Sequence, residues 1–144
     1  MRFCKITTTN IQDEIDEIIM SMNPSETEDV IKIYGQISLV EYTDENDYEC
    51  MFAILDSFLI TKLNSLYKKY GIKFIVTDLT QDVINDSPIN TKYKNYKGKS
   101  CHREIQNLIK EFKMNWVSKD DILDKILEKG IDSLSKIDLK ILKS

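Results

Sequence analysis

The longest apolar pattern in the chain runs from Tyr48 to Tyr70 and has the spacing of an α-helix. Its apolar and aromatic residues recur at steps of three and four, which places them along one side: Tyr48, Met51, Phe52, Leu55, Phe58, Leu59, Leu63, Leu66, Tyr67 and Tyr70. Gly71 follows, where helices commonly end on a left-handed residue. The apolar run Ile72–Thr77 then predicts a strand that is covered on both faces.

The residues before Tyr48 predict two strands and one helix. Arg2–Thr7 reads as a short strand, and the capping-box pattern from Thr9 to Gln12 predicts a helix over residues 10–22. Residues 25–29 are polar and predict a connection. Val30–Tyr42 alternates between apolar and polar residues, which predicts a long half-covered strand. The order strand, helix, strand, helix, strand indicates an α/β fold, with α+β as the alternative, in which helices cover a sheet of three strands or more.

Residues 78–144 carry a weaker apolar signal and predict mostly helices. Residues 78–86 indicate a turn or a short helix, and residues 87–98 indicate a long loop. Three helices are expected after it: residues 100–116 capped by Ser100, residues 119–129 capped by Ser118, and a last one starting at Ser133 or Ser135. The predicted organisation is an α/β core over residues 1–86, a basic loop over 87–100, and a helical part over 101–144 that packs on or docks to the core.

Length and composition favour one domain in a reducing compartment. A chain of 144 residues can bury a sizeable core. No apolar run approaches the length of a membrane span, and the N-terminus lacks a secretory leader pattern. Cys4, Cys50 and Cys101 are odd in number and widely spaced, which argues against a disulfide framework. We therefore expect a cytoplasmic protein without a membrane segment.

The net charge of −4 is unevenly distributed along the chain, and the N-terminal part is strongly acidic. Residues 1–57 hold 3 basic and 13 acidic residues, whereas residues 58–113 hold 11 basic and 5 acidic. An acidic surface suits electrostatic pairing with a basic protein partner. The candidate partner-binding residues are Asp13, Glu14, Asp16, Glu17, Asp44, Glu45 and Asp47.

A second candidate site is a basic segment without acidic residues, from Ser87 to Arg103. Basic and aromatic side chains alternate there, and this combination suits phosphate contacts and base stacking on single strands. The residues are Lys92, Tyr93, Lys94, Tyr96, Lys97, Lys99 and Arg103. Nucleic-acid contact is thus an alternative to protein binding, although a solvated lysine-rich loop explains the same pattern.

The sequence contains no complete catalytic or metal-binding pattern. Cys101 and His102 are adjacent on a predicted helix, so their side chains do not face each other. Cys4 and Cys50 add no ligand pair with the close spacing of a metal site. Gly98-Lys99-Ser100 lacks the earlier glycine and the preceding strand of a phosphate-binding loop. We therefore expect no catalytic residue, metal or cofactor, and favour a protein that is not an enzyme.

Asp78 and Asp82 follow the predicted strand Ile72–Thr77, where α/β proteins often place acidic groups that line a pocket. Asp78-Leu79-Thr80 followed by Asp86-Ser87 also resembles the Asp-Leu-Ser…Asp-Ser stretch of STAS domains, within a similarity over residues 72–87. That resemblance implies a regulator that responds to phosphorylation at Ser87. Pro88 departs from the small residue and glycine of the family pattern.

The tail resembles another family. Residues 119–143 include Asp121-Ile122-Leu123-Asp124-Lys125-Ile126 and Gly130…Ser133-Leu134-Ser135, and they are similar to the helical C-terminal segment of rhomboid-family proteins from Bacteroidetes. The resemblance implies a bacterial origin and an accessory helical hairpin. The rhomboid membrane helices do not occur in this chain, so protease activity is not implied. The favoured interpretation is a cytosolic protein-binding module that acts as a regulator or as an immunity-type inhibitor.

Overall fold

The fold is a four-stranded sheet with helices on both faces. The structure is a computed structural model that describes residues 1–144 and every side chain except those of Ile11 and Gln12. Its strands are β1 Arg2–Ile11, β2 Ser38–Thr43, β3 Tyr48–Leu55 and β4 Phe74–Asp78. Its helices are α1 Gln12–Ser21, α2 Pro24–Tyr34, α3 Ser57–Lys69, α4 Thr80–Ile84, α5 His102–Trp116, α6 Lys119–Lys129 and α7 Lys136–Lys143.

The sheet has the strand order β2-β3-β1-β4, and each neighbouring pair is antiparallel. Strand β3 lies inside the sheet between β2 and β1, with Phe52 opposite Val40 on one side and Lys5 on the other. Strand β4 pairs only with β1 and forms one edge. The α/β class predicted from the sequence is confirmed, with one strand more than the predicted minimum of three.

Alternate residues of β3 point into two separate hydrophobic clusters. Cys50, Phe52 and Ile54 join the cluster that α4, α5, α6 and α7 cover. Met51, Ala53 and Leu55 join the cluster that α1, α2 and α3 cover. Because β3 is buried on both faces, it has almost no polar position.

The predicted helix Tyr48–Tyr70 is wrong over its first half. Residues 48–55 form β3, and the helix α3 begins only at Ser57. Its N-cap is Asp56, whose Oδ1 accepts a hydrogen bond from the Leu59 N–H at 2.8 Å. The continuous apolar run of a doubly covered strand matched helical spacing by chance, and Phe58, which that spacing placed in the core, is 72% exposed.

The predicted strand Val30–Tyr42 is also wrong over its first part. Residues 24–34 form α2, which includes the stretch predicted as a polar connection. Asn23 caps this helix by accepting from the Glu26 N–H at 2.9 Å, and Pro24 occupies the first turn, where it loses no hydrogen bond. Val30 and Ile33 turn inward at helical spacing, and only residues 38–43 form the strand β2.

Strands β1 and β4 also differ from the prediction. Strand β1 continues to Ile11 rather than ending at Thr7, and α1 follows it directly. The capping box from Thr9 to Gln12 depends on the Gln12 side chain, which lies outside the described residues. Strand β4 is an edge strand and not a covered one, with Ile75 56% exposed.

The C-terminal helices follow the predicted boundaries closely. The helix α6 spans residues 119–129, and Ser118 and Asp121 form a reciprocal capping box at its start. Ser135 caps α7 in the same way. The N-cap of α5 is Cys101 rather than Ser100, although the Ser100 hydroxyl accepts from the His102 N–H at 3.3 Å. Within the described part of the chain, no helix combines the length and apolar content needed to cross a bilayer.

Candidate binding cleft

A cleft of about 1010 Å³ opens at one end of the sheet, on the face that α5 covers. One wall is the turn between β2 and β3, residues 44–47, and the other is the loop 90–98. Side chains from three strands form its floor: Lys5, Thr7, Tyr42 and Cys50. We refer to it below as the cleft.

Stacked aromatic rings join the loop wall to the sheet. The Tyr93 ring lies 4.2 Å from the Tyr42 ring, centroid to centroid, in a stacked arrangement. Tyr42 in turn stacks on Phe52 of β3 at 5.4 Å. Such pairs add stability beyond the area that they bury. Tyr93, one of the two tyrosines that the sequence offered for base stacking, therefore uses one face of its ring to fix the loop to the sheet.

Lys5 contacts the same tyrosine from β1. Its Nζ donates a hydrogen bond to the Tyr93 hydroxyl oxygen at 3.0 Å and lies 5.2 Å from the ring centroid. Asn90 Nδ2 donates to the same oxygen at 3.4 Å. Among the described residues, Lys5 forms no ion pair. The floor thus carries one partly buried positive charge without a neutralising carboxylate.

Burial shapes the chemistry of the Tyr42 and Cys50 side chains. Burial, followed by the nearby Cys50, Tyr93 and Asp44, raises the pKa of the Tyr42 hydroxyl. The hydroxyl has no nitrogen or oxygen partner among the described residues and interacts with the Cys50 thiol. Burial and the Asp44 charge also raise the pKa of that thiol, while Lys5 acts in the opposite direction. The charge of Asp44 in the acidic wall and the charge of Lys5 on the floor therefore both act on Cys50.

The acidic wall combines one structural carboxylate with exposed ones. Asp44 Oδ1 accepts from the N–H groups of Asn46 and Tyr48 at 2.8 and 2.9 Å, which orders the turn. Asp47 adopts a positive φ of 60° in this turn. Glu45 and Asp47 are exposed, and Asp13 of α1 also lines the cleft.

Glu14, Asp16 and Glu17, the other predicted partner-binding residues, are exposed on α1 outside the lining of the cleft. Glu14 Oε2 accepts from Asn10 Nδ2 at 3.1 Å. The charge of Asp16 acts on Glu41 and Glu49 on the opposite face of the sheet.

The basic wall is an ordered loop rather than a loose one. Lys94 lies beside the edge of β2, where its carbonyl accepts from the Thr43 N–H at 3.1 Å. Asn95 Oδ1 accepts from the N–H groups of Lys97 and Lys99, both at 3.0 Å, and closes the loop on itself. The Cys101 N–H donates to the Tyr93 carbonyl at 2.8 Å. These bonds hold the wall in a fixed position next to the sheet.

The structure brings together parts of the two sites that the sequence predicted separately. Of the acidic set, Asp13, Asp44, Glu45 and Asp47 line the cleft, and of the basic set, Lys92, Tyr93, Lys94 and Tyr96 line it. Lys97, Lys99 and Arg103 lie outside the lining. The Lys97 Nζ sits 5.6 Å from the centroid of the exposed Tyr96 ring. The result is one cleft with walls of opposite charge.

The cysteine and histidine side chains considered for catalysis or metal binding each contact different groups. The buried Cys101 thiol faces the Glu41 carbonyl at 3.6 Å, whereas His102 Nδ1 pairs with the Thr91 hydroxyl at 2.6 Å. Cys4 is buried in the other hydrophobic cluster. Among the described residues, no group of three His, Cys, Asp or Glu side chains could hold a metal ion.

Asp78 and Asp82 lie away from the cleft. Asp78 Oδ1 accepts from the Thr80 N–H at 2.9 Å at the start of α4, and Asp78 also pairs with Arg2 at 3.4 Å. Burial opposes ionisation of Asp78, but the bonds from Thr80 and the charge of Arg2 outweigh it and lower its pKa. Neither aspartate lines the cleft.

Sequence reasoning missed a buried carboxyl group at Glu49. Glu49 is 9% exposed on the face opposite the cleft, and its side chain has no hydrogen-bond partner among the described residues. Burial, together with the charges of Glu41 and Asp16, raises its pKa from 4.5 to about 7. The available signal was Glu49 itself, a charged residue within the apolar run of residues 48–55. The helical interpretation of that run gave this residue no role.

Sequence reasoning also missed a buried ion-pair network among the C-terminal helices. Lys113 of α5 and Lys125 of α6 each pair with Asp138 of α7, at 2.9 and 2.7 Å, and each also pairs with Asp86 after α4. Both lysines are at most 2% exposed and Asp138 is fully buried. Lys125 stands between Ile122 and Ile126 on the apolar stripe, and such charged residues at core positions were the available signal.

Comparison of the chain with protein-family models, with curated proteins and with solved structures gave no match. The similarities to STAS domains and to rhomboid tails therefore stay predictions. The geometry of the cleft is the basis for a functional interpretation.

Proposed function

We propose that the protein is a non-enzymatic, cytosolic binding module, acting as a regulator or an immunity-type inhibitor, and that its protein partner binds in the cleft. The observation that carries the proposal is the pair of walls of opposite charge on either side of a floor that contains Lys5 and Tyr42. A polypeptide segment with both acidic and basic residues matches such a cleft, because each wall attracts one sign of charge and repels the other.

Nucleic acid is the alternative partner, and the acidic wall argues against it. A phosphate backbone that follows Lys92 and Lys94 through the cleft would pass within reach of Glu45 and Asp47. Repulsion between phosphates and these carboxylates would offset the gain from the lysines. The exposed Tyr96 with Lys97 beside its ring is a feature that favours single-stranded nucleic acid.

The test is affinity capture from a lysate of the source organism, with and without nuclease, using the wild-type protein and two cleft variants. Glu45→Gln/Asp47→Asn removes the two exposed charges of the acidic wall and keeps Asp44, which orders the turn, and asparagine tolerates the positive φ at position 47. Lys92→Gln/Lys94→Gln neutralises the basic wall. Glu128→Gln, on an exposed position of α6, is the control for a lost charge far from the cleft.

We expect a stoichiometric protein partner that survives nuclease treatment, is retained by Glu128→Gln, and is lost or strongly weakened with both cleft variants. Retention of the partner by all variants would place its binding site elsewhere. Loss of the partner on nuclease treatment, with binding that falls steeply as salt rises, would favour the nucleic-acid alternative.

A further inference from the structure

Lys5 on the floor of the cleft and Tyr93 in its loop wall hold hydrogen-bond donors that lack an acceptor. The Tyr93 oxygen accepts from Lys5 Nζ and from Asn90 Nδ2, so its own O–H proton is left to donate elsewhere. A lysine ammonium has three donors, and this hydrogen bond to Tyr93 uses one of them. Among the described residues, neither Lys5 nor the Tyr93 O–H has an acceptor for these remaining protons.

Unused donors around a positive charge are the complement of an oxyanion. A hydrogen bond to a charged group is shorter and stronger than one between neutral groups, so an anion on Lys5 and Tyr93 would gain from both. The stacking of Tyr93 on Tyr42 fixes the position of its hydroxyl before any ligand arrives. Preorganisation of this kind reduces the cost of ordering on binding.

The charges around the floor favour a singly charged anion. Lys5 is the cation on the floor, and the charge of Asp44 in the acidic wall reaches the same Cys50 thiol that Lys5 influences. One ammonium balances one carboxylate, whereas the second charge of a phosphate would find no further cation on the floor and would be repelled by Asp44. A carboxylate is therefore the oxyanion that fits.

We propose that Lys5 and Tyr93 form a receptor for a single carboxylate group at the floor of the cleft. If the proposed function holds, this group is an Asp or Glu side chain or the C-terminal carboxylate of the protein partner. A free small carboxylic acid would supply the same chemistry. The experiment below separates these two sources.

The first arm is an NMR titration of the ¹⁵N-labelled protein at pH 8, where inorganic phosphate is mostly a dianion. The probes are acetate and N-acetylglycine, with N-acetylglycinamide as the uncharged analogue and inorganic phosphate as the dianion. We expect saturable shifts of the amide resonances of Lys5, Tyr93 and Lys94 with both carboxylates, weaker shifts with phosphate and none with the amide. Equal responses to the amide and to N-acetylglycine would overturn the proposal.

Three variants assign the effect to the two residues. Lys5→Met keeps the unbranched stem and removes the charge, and we expect it to abolish saturation. Tyr93→Phe keeps the stacked ring and removes the hydroxyl, and we expect affinity about tenfold lower, because a hydrogen bond to a charged group is lost. Lys97→Met removes the same charge outside the lining and should bind as the wild type does. Unchanged carboxylate binding by Lys5→Met would overturn the proposal.

The second arm repeats the affinity capture with Lys5→Met and Lys97→Met. Loss of the partner with Lys5→Met alone supports a carboxylate supplied by that partner. Retention of the partner by Lys5→Met, when the same variant has lost acetate binding, overturns that source and leaves the proposed function intact. Saturable carboxylate binding without any captured partner supports the free-acid source and argues against the proposed function.

Discussion

At the scale of single residues, Glu49 makes the stability of the fold depend on pH. Its pKa of about 7 in the folded state lies above the ordinary value of 4.5, so the folded protein keeps this proton over a range where the unfolded chain has lost it. Stability from this group is present below about pH 4.5, falls as the pH rises to about 7 and stays low above that.

The corresponding prediction is that Glu49→Gln stabilises the protein at pH 8 and has little effect at pH 4.5. Glutamine has the shape of the protonated acid and carries no charge to desolvate, which at pH 8 is worth on the order of 1–3 kcal/mol. Thermal unfolding followed by circular dichroism at both pH values measures this difference. The exposed Glu128→Gln is the matched control, and a gain of equal size at both pH values would contradict the pKa argument.

At the scale of elements, the network of Lys113, Lys125, Asp86 and Asp138 joins three C-terminal helices and the end of α4. Asp138 has two structural roles. Its Oδ2 accepts a hydrogen bond from the Ser135 N–H at 2.9 Å at the start of α7, and its carboxylate neutralises two buried lysines. Burial alone would raise the pKa of Asp138, but the bonds from Lys125, Ser135 and Lys113 outweigh it and lower the pKa.

We predict that Asp138→Asn lowers the free energy of unfolding by about 3–5 kcal/mol, because the two buried lysines would then share the one carboxylate of Asp86 and a buried positive charge would be left uncompensated. Asparagine can still accept from the Ser135 N–H, so the helix cap survives and the loss reports the charge. Urea unfolding at pH 7 measures the effect, and Asp124→Asn on the exposed side of α6 is the control. Equal stability of these two variants would show that the network adds nothing.

The elements that the sequence predicted well are those with one covered face and explicit caps. Ser118 and Ser135 start helices whose apolar stripes repeat at helical spacing; local signals placed the first start at Ser118 and narrowed the second to Ser133 or Ser135. Strand β3 was misread because its environment removes the alternation that marks a strand: both faces are covered, and this depends on helices distant in the sequence. The sequence predicted the acidic and the basic residues of the cleft as two separate sites. That these residues line one cleft depends on the antiparallel pairing of β2 and β3, which the pattern of a single sequence does not encode.

At the scale of the whole molecule, the C-terminal helices complete the hydrophobic core. The cluster on the cleft side combines Phe3 and Phe52 of the sheet with residues that lie beyond position 100: Ile105, Leu108, Phe112, Val117, Ile122 and Ile141. The Phe3 ring contacts the Phe112 ring edge-on, with centroids 5.8 Å apart. Without these helices, one face of the sheet would expose its large apolar side chains to water.

The last prediction follows from this shared core: a fragment of residues 1–100 does not fold cooperatively by itself. We expect it to bind the dye ANS and to lack a sharp unfolding transition, because residues 101–144 supply much of the cluster that covers one face of the sheet. Mixing it with a second fragment of residues 101–144 should restore a cooperative transition and suppress dye binding. A dispersed NMR spectrum from the fragment alone would contradict the prediction and would make the C-terminal helices a docked accessory of an independent α/β domain.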